Sequence, residues 1–376
     1  MENYRIKSKV AVSDREFLIQ TVNDPDRGTV VSSLFADGEV LEVFSRPHPE
    51  AVSDDEVLTL VKCTHDEKKT ELEQLLAAYP KVVGGGDVDQ IYHLGMVFFH
   101  KRMYKEAQAL FDGALVLRPD FHQAAASLGL ACLEQRQAEG ALKVLAKAVE
   151  LRPTYADYHN YYGQALLEAG FCRRAVEEFE SAIKLNIYYG DAYFNLGIAY
   201  IVNAIKREDF DMYANLMAKT TDLFNRAGLI SQEFKAPELI EATEVLRQGD
   251  LPRALNLFTA IRDRKREALR REATGFYLPF WLFADQAGEA AVTDRIRFLQ
   301  DEIAKNPTYV DRHYELALCY LRQAQMIWQR GMGQLKETIA INPRLRKAEY
   351  GLDQAEQFAS AMKVTLTEII KGDQND

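Results

Sequence analysis

The spacing of hydrophobic and polar positions changes once along this chain. Up to about Tyr79, "EFLIQTV" and "GTVVSSLFADGEVLEVFS" are dense in β-branched and aromatic residues, as half-buried strands are. Asp37-Gly38 stands between two apolar runs, a type I′ hairpin signal. Pairing across it sets Phe35 opposite Val40 and Leu34 opposite Leu41. Asn23-Asp24-Pro25-Asp26 marks an earlier turn. Ser53-Asp54-Asp55-Glu56 reads as a capping box that opens a helix through "VLTLVKCTHDEKKTELEQLLAAY". Gly84 to Gly86 then marks a boundary. Residues 1–82 are therefore expected to form a small antiparallel sheet of three or four strands plus a helix, placed to dock on the first helical unit beyond it.

Beyond the boundary the apolar spacing is helical, and a longer period lies over it. "YHLGMVF", "ASLGLAC", "YYGQALL" and "FNLGIAY" carry Gly95, Gly129, Gly163 and Gly197, each 34 residues after the last. Ala107, Ala141 and Ala175 keep step, as do Phe111, Leu145 and Phe179, and Ala114, Ala148 and Ala182. A helix-interior glycine costs roughly 1 kcal/mol relative to alanine. Close approach of two antiparallel helices within each unit offsets that cost. A fixed period of this length means stacked supersecondary units, over 88–121, 122–155, 156–189 and 190–230. The fourth is stretched by "KREDFDMYAN" before "TTDLFNRA" resumes the pattern. Residues 231–376 read as degenerate units. "EATEVLRQGDLPRALNLFTAI" is one; Pro307 with Leu316, Ala317 and Tyr320 marks another. A last amphipathic helix is expected to cap the array.

This pattern resembles the tetratricopeptide repeat family. Leu94, Gly95, Phe98, Ala107, Phe111, Ala114 and Pro119 carry the resemblance in the first unit. Leu128, Gly129, Cys132, Ala141, Leu145, Ala148 and Pro153 carry it in the second. The third has Ile187 where proline is expected. The resemblance implies a mainly α fold, a right-handed helical solenoid preceded by the small sheet-and-helix module. It also implies a concave face, lined by the first helix of each unit, that binds protein segments. The inward positions would be Tyr92, Met96 and Phe99, then Leu130 and Leu133, then Asn160, Gln164 and Leu167, then Phe194, Ile198 and Ile201. Family members that clamp a C-terminal carboxylate use lysine, arginine and asparagine, where this chain has Tyr92, Met96, Ser127, Asp157 and Tyr161. The lining suits an apolar peptide or an amphipathic helix instead. Whether that groove stands open or is filled from within is left undecided by the residues alone.

Composition narrows the function further. A formal net charge of −10 over 376 residues argues against a nucleic-acid binder, whose footprint is basic. No apolar run approaches the ~20 residues of a membrane helix, and the first residues show no secretory leader. Cys63, Cys132, Cys172 and Cys319 make no CxxC pair, which fits reduced thiols in the cytoplasm. Phosphate-loop, nucleophile-elbow and HExxH patterns are missing. His93, His100 and His122 lack a partner at zinc-ligand spacing. Gly331 and Gly333 read as a turn or kink. "RDRKREALRRE" (Arg262 to Glu272) is the one basic run; it reads as a solvated helix end with internal pairs, against contact with an acidic partner. "FYLPFWLF" (Phe276 to Phe283) reads as core rather than a docking surface. The expectation is a non-enzymatic cytoplasmic adaptor, without cofactor or metal, for a protein partner or for a second copy of itself. Two alternatives remain: a ligand-binding or catalytic N-terminal domain carried on a repeat arm, and a homo-oligomeric structural protein.

Overall fold

The computed structural model describes residues 4–12, 15–48, 53–207, 215–234, 237–277, 289–305, 310–343 and 345–357. They fall into two units, one ending at Leu282 and one beginning at Phe283.

The first unit opens with strands β1 (Arg5–Val12), β2 (Arg15–Asp24), β3 (Thr29–Ala36) and β4 (Glu39–Pro47), antiparallel and in chain order across the sheet. Alternation puts Phe17, Ile19, Val30 and Leu34 on one buried face. The turn after β3 has the left-handed backbone of a type I′ hairpin, with φ of 53° at Asp37 and 83° at Gly38. Phe35 pairs with Val40 as the turn demands, but Leu34 pairs with Glu42. The expected Leu34–Leu41 pair is corrected by an irregularity between Leu34 and Phe35 that leaves Leu41 without a cross-strand partner. Such an extra residue lets both side chains stay on the core face, and Leu34 and Leu41 are both buried.

Helix α1 (Asp54–Gly85) covers that face with Val57, Val61, Leu72 and Leu75. Its start is a full capping box between Ser53 and Glu56, and its end is the left-handed Gly86. The helix runs through Pro80 and closes three residues later than the expected boundary at 82. A polar chain crosses this core: Thr21 Oγ1 donates to Ser32 Oγ at 2.9 Å and lies 3.0 Å from His65 Nδ1, while His65 Nε2 lies 2.8 Å from Ser8 Oγ. Buried polar groups that satisfy one another in this way are tolerated. Burial holds the His65 imidazole below its ordinary pKa.

Four helix pairs come next: α2 (Val88–His100) with α3 (Tyr104–Leu117), α4 (His122–Glu134) with α5 (Ala138–Leu151), α6 (Ala156–Glu168) with α7 (Cys172–Leu185), and α8 (Gly190–Lys206) with α9 (Leu216–Ile230). The repeated glycines sit where the pairs touch. A Cβ on Gly95 would lie 2.6 Å from the Phe111 ring, and one on Gly197 would lie 2.7 Å from Phe224. Arg102, Arg136 and Gly170, again 34 apart, take the left-handed turn between the two helices of a unit. In the fourth unit that conformation falls at Arg207, three residues beyond register, because α8 is a turn longer than α2, α4 or α6. The rest of "KREDFDMYAN" lies mainly outside the described residues.

The N-terminal module is joined to the first pair by buried charge. Lys101 Nζ lies 2.6 Å from Glu42 on β4 and 2.5 Å from Glu71 on α1. Arg15 pairs with Glu106, and Tyr79 meets Phe98 edge-on at 5.9 Å. After α9 a 3-10 turn (Gln232–Phe234) leads to α10 (Pro237–Arg247) and to α11 (Leu251–Tyr277), whose 27 residues nearly double the length of α3, α5 and α7.

In the second unit, α12 (Glu289–Lys305) packs on α13 (Val310–Ile341), burying Ile296, Leu299 and Cys319. The expected turn or kink at Gly331 and Gly333 is corrected: both lie inside α13, which is continuous to Ile341. A further helix spans 346–357, and Trp328 Nε1 donates to the Ala355 carbonyl at 3.1 Å. The final residues expected to cap the array, and most of "FYLPFWLF", lie outside the described residues.

Candidate protein-binding face

The first helices of the pairs, α2, α4, α6 and α8, form the inner face of the array. The long helix α11 packs against both α8 and α2, so it crosses that face. Its first half is apolar. Ala254, Phe258 and Ile261 are buried. Phe258 stacks on Phe224 with ring centroids 3.7 Å apart, while Phe194 stacks on Phe234 at 4.3 Å. This cluster explains three of the expected groove residues. Phe194, Ile198 and Ile201 are fully buried in it and do not line an open surface.

From Arg262 onward the helix meets the repeats through charge. Lys265, itself buried, places Nζ 2.9 Å from Asp191 and 3.1 Å from Ser231 Oγ. Arg266 donates to Glu134 at 3.2 Å and to Gln164 at 2.9 Å. Arg270 donates to the other oxygen of Glu134 at 3.1 Å, and Glu267 pairs with Arg102. Tyr104 also donates to Glu134 at 3.1 Å. Burial, with Glu134 alongside, pushes the Tyr104 phenol well above its ordinary value. Burial, with Arg270 overhead, holds His100 down to about 4. Lys265, Arg266 and Arg270 of the basic run are thus seated on the repeats, while Asp263 and Arg264 are exposed as a solvated helix end would have them.

The remaining expected residues divide by what they touch. Tyr92 is half-buried against Phe111 and Phe121, with Oη 3.5 Å from Ser127 Oγ. Ser127 also reaches the Met96 sulfur at 3.4 Å. Phe99 meets Tyr104 edge-on at 5.6 Å. Asn160 is buried and engaged within the array. It donates to Tyr189 Oη at 3.0 Å and accepts from Asn195 at 2.9 Å, so it ties the third unit to the fourth rather than facing a ligand. Leu133 is buried, while Met96, Leu130 and Leu167 stay half-exposed and Gln164 is taken by Arg266. His122 hydrogen-bonds Tyr158 at 2.6 Å, and among the described residues no three His, Cys, Asp or Glu side chains gather to hold a metal. No described helix is long and apolar enough to cross a membrane.

Of the acids on the first helices, sequence reasoning named Asp157 and passed over Glu134, Glu168 and Asp191. Their signal was present: Glu134 and Glu168 are 34 residues apart, and so are Asp157 and Asp191. Acids recurring in step on the first helices of the repeats favour cations there. Partly buried ion pairs gain little net free energy, since desolvation offsets attraction. The apolar half therefore anchors α11, and the ionic half sets where the rest of it lies.

The tetratricopeptide repeat family matches residues 92–156 and 163–205. Over those residues the helix pairs are tetratricopeptide repeats. Among solved structures, the chain is similar to YrrB, described as a TPR protein with an unusual peptide-binding site, at 26% identity over 44% of this chain and 81% of that one, with a TM-score of 0.35. It is similar to MamA from Desulfovibrio magneticus RS-1 at 25% identity, over 37% of this chain and 76% of that one, with a TM-score of 0.33. An O-GlcNAc transferase mutant of Thermobaculum terrenum matches at 22% identity, over 39% of this chain and 26% of that one, with a TM-score of 0.33. No curated protein matches. A tetratricopeptide array of this kind is a protein-interaction architecture, and its inner face is where α11 lies.

Proposed function

We propose that this chain is a non-enzymatic scaffold of the cytoplasm that holds a segment of a partner protein on the concave face of its tetratricopeptide repeats. One observation carries the reading: that face already accommodates a helix. Glu134, Gln164 and Asp191 engage α11, and Met96 and Leu130 on the first helices are only partly buried. A groove that offers apolar contact with flanking polar groups suits helix-in-groove recognition. The thioether of Met96 adds adaptability. None of the four cysteines is in a disulfide and three are buried, which fits a reducing compartment.

The test compares the full chain with a Met96→Asp/Leu130→Asp double variant in affinity capture from native lysate, with circular dichroism to confirm that both are folded. A partner retained by the unmodified chain and lost from the variant supports the reading. The same partners captured by both would place binding elsewhere.

A further inference from the structure

We propose that the stretch Arg262 to Arg270 of α11 is an internal ligand of the repeats, and that the partner which replaces it carries a basic amphipathic helix. The inference rests on the concave-face reading above and adds the partner's chemistry and the means by which the seat is controlled.

Three observations lead there. First, α11 exceeds its structural task. The second helices of the first three repeats are 14 residues long, and among the described side chains of α11 the last buried apolar one is Ile261, its eleventh position. The remainder reaches back over earlier repeats, as far as Arg102 and Glu134. Second, the described contacts of that remainder are made mainly by its cationic side chains. Lys265, Arg266 and Arg270 meet Asp191 and Glu134, in a chain whose overall charge is −10. Third, part of the seat stays accessible with α11 in place. Met96 and Leu130 are only partly buried, and Glu168, in register with Glu134, keeps exposed surface although Arg262 and Arg266 of α11 lie near it. A helix that brings cations to the acids and apolar side chains to Met96 and Leu130 would cover surface that α11 leaves open. Because the ionic half can leave while Phe258 keeps the apolar half in the core, exchange does not require the array to unfold. The conformational cost of opening the seat lowers the apparent affinity for any competitor.

The probe is a fluorescent peptide spanning Phe258 to Tyr277, read by anisotropy against the full-length chain. The comparison chain is the full-length Arg266→Glu/Arg270→Glu variant, which repels its own α11 from Glu134. Arg266→Gln/Arg270→Gln serves as a milder version should charge reversal impair folding. The peptide is expected to bind the variant about tenfold more tightly than the unmodified chain, as an opened seat requires. Adding Glu134→Arg should remove that gain, and rising ionic strength should weaken binding. A second peptide with every lysine and arginine replaced by glutamine should bind poorly. Equal affinity for the unmodified and variant chains would overturn the internal-ligand assignment. Equal binding of the uncharged peptide would overturn the basic-helix assignment. If Met96→Asp/Leu130→Asp loses its partner while the peptide result fails, the concave-face reading stands and only this inference falls. If capture is unchanged as well, both fall.

Discussion

The Phe179 ring lies so close to Gly163 that a Cβ there would come within 2.7 Å of it. Gly163→Ala gains helix propensity worth about 1 kcal/mol, but it forces the ring away in a core where overpacking costs about 1–3 kcal/mol. Gly163→Ala should therefore lower stability by up to about 2 kcal/mol in urea unfolding. Gly113, on the second helix of the first repeat, is the contrasting case, since a Cβ there meets nothing within 4 Å. Gly113→Ala should raise stability by up to about 1 kcal/mol. The opposite ordering of the two would contradict the packing assigned to the repeat glycines.

Lys101 is 3% exposed and faces Glu42 and Glu71 together. Lys101→Met would leave Glu42 and Glu71 with Lys68 as their remaining shared cation, so the loss should stay below the about 3–5 kcal/mol of a fully broken buried pair. The pH dependence is set by the signs of the shifts. Burial raises the Glu71 carboxyl, but Lys101 and Lys68 outweigh it, so its folded pKa lies below the ordinary 4.5. Its contribution is present above 4.5 and is lost as pH falls through the lower, folded value. For Lys101, burial lowers the pKa but Glu42 and Glu71 raise it above 10.5, so that contribution is lost only in strong alkali. Urea titrations between neutral pH and pH 3 should show stability falling with acid, with a shallower fall in Glu71→Gln.

The repeats were legible because their evidence is local and recurs. Gly95, Gly129, Gly163 and Gly197 announce the helix contacts that Phe111, Leu145, Phe179 and Phe224 complete, all within one unit of sequence. Asp37-Gly38 was legible for the same reason, although the irregularity one residue away, which moved Leu34 onto Glu42, carries no mark of its own. The fate of the groove was not legible. Arg266 and Arg270 meet Glu134 across more than 130 residues, and a basic run looks the same whether water or carboxylates surround it. Asn160 misled for a related reason: an inward polar residue fits a ligand contact or a tie to Tyr189 and Asn195 equally well until the neighbours are placed.

His159 gives a second pH signature, in a milder range. Its Nδ1 lies 2.7 Å from Glu178 and its Nε2 lies 2.9 Å from the Pro153 carbonyl. The Glu178 hydrogen bond outweighs burial and raises the folded pKa above 6.5. A raised pKa contributes stability that is complete below the unfolded value and is lost as pH rises through the folded one. Stability should thus decline modestly between pH 6.5 and mildly alkaline pH, and His159→Gln should flatten that decline. Nuclear magnetic resonance titration of the imidazole checks the direction directly; a midpoint below 6.5 would refute it.

Phe258 decides whether α11 is held by its apolar half. Its side chain is fully buried, stacked 3.7 Å from Phe224 and edge-on to Phe194 at 6.0 Å. Phe258→Ala removes that ring from a close-packed aromatic cluster, a change that costs about 3–5 kcal/mol. Arg266→Gln with Arg270→Gln removes ion pairs to Glu134 and Glu267 that are all partly solvent-accessible, and it should cost less than Phe258→Ala because water reaches the carboxylates left behind. Denaturant midpoints rank the two variants, and amide exchange along α11 locates the effect. Phe258→Ala should expose the amides of the whole helix. The arginine variant should raise exchange only from about Arg262 onward and leave the first half protected. Equal deprotection of both halves by the arginine variant would mean that α11 is one cooperative element and that its charged half cannot leave by itself.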